Sequence, residues 1–280
     1  MQSYLAHFAR TCVSLAKKVC DGEKPAVKKG DGGYSDWVMV SLHAIKHFRD
    51  HTYWELVDDL IEMPRIRSIL ELDFEDIPHI STISNRKQSL PTELWRKLLK
   101  YSSYLHELGN IQAIDSTGFD RNKKSRKYKR RTGYGFKALK TTILVDCKNN
   151  VVLDVALSTN KPHDTKVAWK LLSKNLDKLD IITGDKGFDS DELRSFLREN
   201  GVRPVIKHRE FTSLDKAHNK RIDDDVYHQR SNSESVFFSL RKRYDDYLAG
   251  KWWYNHYKEV VLKCAVKNIE DHIRNKLKRV

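Results

Sequence analysis

The chain has 280 residues, 32% charged and 39% hydrophobic, with a formal net charge of +14 and a pI near 9.5. That length suits one good core with a smaller appended domain, and the cationic excess favours a partner of dense negative charge, nucleic acid ahead of anionic membrane. No apolar run approaches ~18 residues and no apolar stretch follows a basic leader, which argues against a membrane span or secretory signal and makes cytoplasmic residence the expectation.

In chain order, residues 4 to 19 place Tyr4, Leu5, Phe8, Cys12, Leu15 and Val19 at three- and four-residue steps, predicting an amphipathic helix. Ser35 is positioned to cap a helix carrying Trp37, Val40, Ala44, Ile45 and Phe48. Thr52 with Glu55 makes a capping box for a helix over Tyr53 to Met63, stopped by Pro64. Pro78 to Leu90 is a short helix rich in Ser, Asn, Arg, Lys and Gln, side chains that reach phosphates and base edges. It suits the recognition helix of a helix-turn-helix-like unit, with Arg86 and Lys87 as DNA contacts, or equally a polar surface helix. Thr92 opens a further helix through Trp95, Leu98 and Leu99. Residues 1 to 108 thus read as a helical domain, with DNA-end binding as its expected role.

At Asn110 the periodicity changes. Ile111 to Ile114 is a short apolar strand ending at Asp115. Then comes Arg121 to Arg131, R-N-K-K-S-R-K-Y-K-R-R, in which eight of eleven residues are basic. A run so dense repels itself until it meets polyanion, so Arg126, Lys127, Lys129, Arg130 and Arg131 are candidate DNA-backbone contacts. Gly135 to Asp146 and Val151 to Leu157 read as an antiparallel hairpin. A helix over Thr165 to Leu176, capped by Asp164, precedes the strand Asp180 to Thr183, which leads into a second carboxylate, Asp185. A helix over Asp191 to Asn200 and a strand over Val202 to Lys207 follow, then a polar loop over 208 to 226. A helix begins near Tyr227, and a last amphipathic helix spans about Asn255 to Lys278, with Val261, Ala265, Ile269, Ile273 and Leu277 inward and its lysines and arginine outward. This order predicts an α/β domain over 109 to 280, a mixed sheet flanked by helices.

Tyr227, Arg230, Glu234 and Arg241 recur at steps of three, four and seven, one side of a helix. A carboxylate beside two guanidiniums suits a metal ion held against phosphate. Asp115 and Asp185, on neighbouring parallel strands, would lie within a few ångströms of each other. Three hard oxygen donors without Cys or His nearby favour Mg²⁺ or Mn²⁺ over Zn²⁺. Asp189 and Asp191 read as helix-start residues, and Asp223 to Asp225 as a solvated triplet. Cys12, Cys20, Cys147 and Cys264 form no C-x-x-C pair, which suits a reducing compartment and argues against a zinc ribbon or a disulfide framework.

Asp115 in A-I-D-S-T-G-F, Asp185 in T-G-D-K-G-F-D-S, and Y-x2-R-x3-E-x6-R from Tyr227 resemble the DDE transposases of insertion sequences, in the group with a Y-R-E-K signature. The likeness covers about residues 110 to 245. It implies a ribonuclease-H-like core, Asp115, Asp185 and Glu234 as catalytic residues on two Mg²⁺ ions (Mn²⁺ as substitute), and DNA-phosphate contacts from Tyr227, Arg230 and Arg241. It also implies cut-and-paste movement by a homodimer bound to terminal inverted repeats and target DNA, with nucleoid association. Arg241 stands where the signature has lysine, which keeps the charge and changes phosphate geometry. The interval between Asp185 and Glu234 is short and holds no tryptophan, which argues against a hairpin mechanism with a base flipped onto an indole in that interval; Phe188 or His208 would have to substitute, and nothing in the sequence marks either for that role. Two other readings stay open: a non-catalytic DNA-binding protein derived from a transposase, and a ribonuclease-H-like nuclease without strand transfer.

Overall fold

Two units divide the chain, Met1–Leu105 with Gly250–Val280 and His106–Ala249. The computed structural model describes residues 3–20, 24–28, 33–120, 139–160, 162–245, 247–250 and 252–278. The basic run with Arg126, Lys127, Lys129, Arg130 and Arg131 lies outside the described residues, as does the start of the strand expected from Gly135.

The first unit is helical: α1 (Tyr4–Val19), α2 (Asp36–Arg49), α3 (Tyr53–Glu62), α4 (Pro64–Ile69), α5 (Ile80–Ser89), α6 (Thr92–Ser103) and α12 (Trp253–Lys278), with a small two-stranded ribbon of β1 (Val27–Lys28) and β2 (Gly33–Tyr34). The capping box of Thr52 and Glu55 is present. Pro64 opens α4 at its first turn, where a missing N–H costs nothing, as well as closing α3. The expected boundary at residue 109 assigned the C-terminal helix to the second domain; the structure groups it with the first. The physical reason is its burial. From Asn255 to Glu270 every residue of α12 is buried, and it packs on α6, α1 and α2. A helix buried on all sides needs helical neighbours around it, and this unit supplies them.

Three of the lysines expected outward on α12, Lys258, Lys263 and Lys267, are buried, while Lys276 and Lys278 are exposed. Lys263 pairs with Glu259 at 3.2 Å and Lys267 with Asp271 at 2.8 Å. Lys258 Nζ donates to the Lys87 and Gln88 carbonyls at the end of α5 (3.2 and 2.8 Å), where unsatisfied helix carbonyls attract cations. Leu277 is exposed instead.

The second unit is a five-stranded mixed sheet in the order β5-β4-β3-β6-β7: β3 (Ile111–Phe119), β4 (Leu139–Asp146), β5 (Val151–Ser158), β6 (Ile181–Gly184) and β7 (Arg203–Ile206). β3–β4 and β4–β5 are antiparallel, and β3–β6 and β6–β7 parallel. Helices α7 (Asp164–Leu172) and α8 (Asp191–Glu199) connect the parallel strands. Ile114, Leu144, Ile182, Phe188, Leu193 and Leu197 meet in one core beneath them. This is the ribonuclease-H-like arrangement, a mixed sheet flanked by helices.

Residues 208 to 226 are more ordered than a polar loop. Thr212 and Asp215 form a capping box that starts α9 (Ser213–Asn219), and Asp223 caps α10 (Asp224–His228). The chain then breaks before α11 (Ser231–Tyr244).

Candidate active site

The parallel ladder between β3 and β6 ends at the pair Ile114↔Gly184. The next residue on each strand is a carboxylate, so Asp115 and Asp185 leave the last rung side by side. The sequence puts Asp115 at a strand end. In fact β3 runs on to Phe119, paired only with β4, where Asp115 faces Ile143. The point at which β6 stops therefore matters more than the end of β3. Gly184 makes this approach possible: a Cβ there would meet Ile114 Cγ2 at 3.0 Å and Phe188 Cδ2 at 3.3 Å.

Asp115 is half-buried, and its carboxyl is pushed up from 3.8 to about 6. Burial is the main cause. The Ser116 N–H, donating to Asp115 Oδ1 at 2.7 Å, and the Arg230 charge act against it, while the neighbouring charges of Glu234 and Asp185 add to it. Asp115 thus lies within electrostatic reach of both Asp185 and Glu234. Among the described residues no group of three His, Cys, Asp or Glu side chains is placed to hold a metal ion, Asp115, Asp185 and Glu234 included. Glu234, in the first turn of α11, is held by Arg230, whose Nη1 donates to Glu234 Oε1 at 2.9 Å.

The other signature residues surround this corner, though not on one helix. Tyr227 is on α10, Arg230 at the N-terminal cap of α11, and Arg241 in its last turn. The break between helices replaces the single face read from spacing. Tyr227 is buried with its ring under two cations, Lys207 Nζ at 4.3 Å and Arg230 Cζ at 5.5 Å from the centroid. Arg241 Nη2 donates to Thr117 Oγ1 and to the Gly118 carbonyl, the latter at 3.2 Å, two and three residues past Asp115.

Competing acids have structural partners. Asp189 sits against the buried Arg194 and accepts from the Arg209 N–H at 2.7 Å. Burial opposes its charge, but these donors outweigh it and hold the carboxyl below the usual carboxylate range. Asp224 pairs with Lys207 at 2.8 Å. Asp164, expected as a cap, lies in the first turn of α7 and pairs with Lys140 at 2.8 Å.

Of the two basic residues picked out on α5, Arg86 is bound to Asp36 and the Tyr34 carbonyl, while Lys87 faces Glu259 with its side chain only 16% exposed. Both charges are used inside the helical unit. Phe188 is in the core, which removes it as a stacking platform. The exposed aromatic in the interval is Phe211, which alternation and periodicity could not single out.

Residues 107–245 match a family described as the transposase DDE domain, covering the second unit almost end to end. No curated protein matches the chain. Among solved structures, one described as "Cryo-EM structure of piggyBac transposase synaptic complex with hairpin DNA" is similar with a TM-score of 0.51 at 10% identity, over 100% of this chain and 76% of that one. At that identity the likeness is one of fold.

Proposed function

We propose that this chain, with its transposase DDE domain, is a DNA transposase that cuts at insertion-sequence ends and transfers the freed 3′ ends to target DNA. The observation that carries the proposal is the parallel register that sets Asp115 beside Asp185, with Asp115 feeling the charge of both Asp185 and Glu234. Carboxylates crowded in this way are stabilised by a divalent cation, and hard oxygen donors suit Mg²⁺, with Mn²⁺ as substitute. Asp115, Asp185 and Glu234 would hold it. When bound, a pair of such ions ionises a water or 3′-hydroxyl and stabilises the leaving oxygen of an in-line displacement at phosphorus.

The chain's own groups do the rest. Glu234 would hold the cation in place of its Arg230 partner, and Arg230, beside the carboxylates, offers a guanidinium that can fork onto phosphoryl oxygens. Arg241, spanning Thr117 and Gly118, is placed to do the same further along β3, and Tyr227 backs Arg230. Arg126, Lys127, Lys129, Arg130 and Arg131 clamp the duplex backbone, and two copies act on paired element ends. Arg86 and Lys87 are left out of this scheme because Asp36 and Glu259 occupy them.

The test is incubation of purified protein with element-end DNA and Mg²⁺ or Mn²⁺. Nicked and joined products, both lost in Asp185→Asn while DNA binding survives, are expected. Binding without cleavage under either ion would instead support a non-catalytic DNA-binding protein, and cleavage without joining a nuclease.

A further inference from the structure

Beside the carboxylates lies a second feature that the transposase chemistry does not use. A cavity of about 520 Å³ opens at the edge strand β5 and is bounded by α7 and the start of α8. Its apolar wall is Leu157, Val167 and Leu193, and Trp169 lines it from α7. Trp169 is 38% exposed, and its indole is stacked on Phe196 with centroids 4.5 Å apart and planes at 30°. One ring is thus fixed by another, leaving rigid aromatic surface facing the opening. Lys166 and Lys170, one helical turn apart, flank it; both are exposed, and neither takes part in a salt bridge among the described residues. Glu192, also exposed, is the one acid among the lining residues.

The cavity is next to the catalytic corner. Pro162 and Thr165 on its lining bracket Asp164. A Cβ at Gly187 would lie 3.5 Å from Asp164 Oδ2 and 4.0 Å from Asp185 Oδ2, so only Gly187 separates the start of α7 from Asp185. An apolar slot with a braced indole and two exposed ammoniums has the complementarity of a nucleotide: base on the aromatic surface, phosphates on the lysines. The volume falls in the range of small-ligand pockets.

We propose that this cavity receives an unpaired nucleotide of the DNA strand that flanks the phosphate held at Asp185. The ligand class rests on the transposase reading; the site itself rests on Trp169, Lys166 and Lys170.

The probe is single-stranded oligodeoxythymidylate carrying 5-iododeoxyuridine, bound to the full chain, photo-crosslinked and mapped by mass spectrometry. Crosslinks are expected on Trp169 or its lining neighbours. Trp169→Ala should weaken binding roughly tenfold, the usual scale for loss of one base–aromatic stack. Trp169→Phe should restore most of it, and Trp54→Ala, an exposed tryptophan of the helical unit, should change nothing. Lys166→Gln with Lys170→Gln should flatten the log–log salt slope by about 1.4, the single-strand value for two phosphates. Crosslinks confined to other segments, or a folded Trp169→Ala with wild-type affinity, overturn the proposal. A protein that cleaves element ends normally as Trp169→Ala sinks the nucleotide site alone. One that crosslinks at Trp169 yet cuts no duplex keeps the site and sinks the transposase assignment.

Discussion

Replacing Asp115 by asparagine should stabilise the metal-free protein at neutral pH. The native carboxyl is displaced from 3.8 to about 6, chiefly by burial, with Glu234 and Asp185 adding to it. Because the folded value lies above the unfolded one, Asp115 favours the folded state fully below about pH 4. That contribution disappears as pH rises through about 6. The displacement corresponds to about 3 kcal/mol, and water on the open side of the site reduces it to about 1–2 kcal/mol. The carboxamide of the Asp115→Asn variant carries no charge at any pH. The variant should therefore melt roughly 2–6 °C above wild type at pH 7.5 in chelator, with the gap closing towards pH 4. Adding Mg²⁺ should raise the wild-type midpoint and leave the variant's almost unmoved, since the cation relieves the same repulsion. Thermal melts by circular dichroism across this pH range, with and without Mg²⁺, measure all of this. A variant less stable than wild type at pH 7.5 without metal would refute the electrostatic reasoning.

Gly184→Ala should push β6 away from Ile114 at the rung beside Asp185; overpacking of this kind costs about 1–3 kcal/mol. The shift in carboxylate alignment should lower cleavage roughly a hundredfold while DNA affinity, read by fluorescence anisotropy, holds. Neutralising Arg126, Lys127, Lys129, Arg130 and Arg131 together should weaken duplex binding and flatten its salt dependence by up to about 4.5 log–log units; an unchanged slope would remove the clamp. His43 is fully buried, and burial, then the Lys87 and Lys46 charges, hold it well below 6.5. Its contribution to stability is present above pH 6.5 and lost as pH falls below that value. Acid should therefore lower the midpoint of wild type more steeply than that of His43→Leu, and parallel profiles would count against it.

Much of this molecule was written locally in its sequence. The Thr52–Glu55 box, the Leu139–Asp146 and Val151–Ser158 hairpin, and the short strand before Asp185 each follow from neighbouring side chains. So does the pairing of Asp115 with Asp185, because two short apolar strands each leading to an aspartate have few ways to share a sheet. What failed was set by distant partners. The C-terminal helix was misassigned because its lysines look solvent-bound until Glu259, Asp271 and the end of α5 are seen beside them. Tyr227 and Glu234 have helical spacing, yet a break after α10 separates them, and spacing cannot report a break. The polar stretch from 208 to 226 hid the capping residues Thr212 and Asp223 that order it. Nothing in the sequence around Trp169 marks it out, since periodicity does not distinguish a buried indole from one lining a cavity.

The proposal that Asp115, Asp185 and Glu234 share cations is tested most directly by titrating Mn²⁺ into the DNA-bound protein and following free ion by electron paramagnetic resonance. Saturable Mn²⁺ binding should be present in wild type and lost, or weakened at least about tenfold, in Asp185→Asn, Asp115→Asn and Glu234→Gln alike, since loss of even an outer-shell partner of a metal ligand costs about 10–100-fold. Mn²⁺ binding unchanged in all three variants, with DNA still bound, would contradict a common metal site.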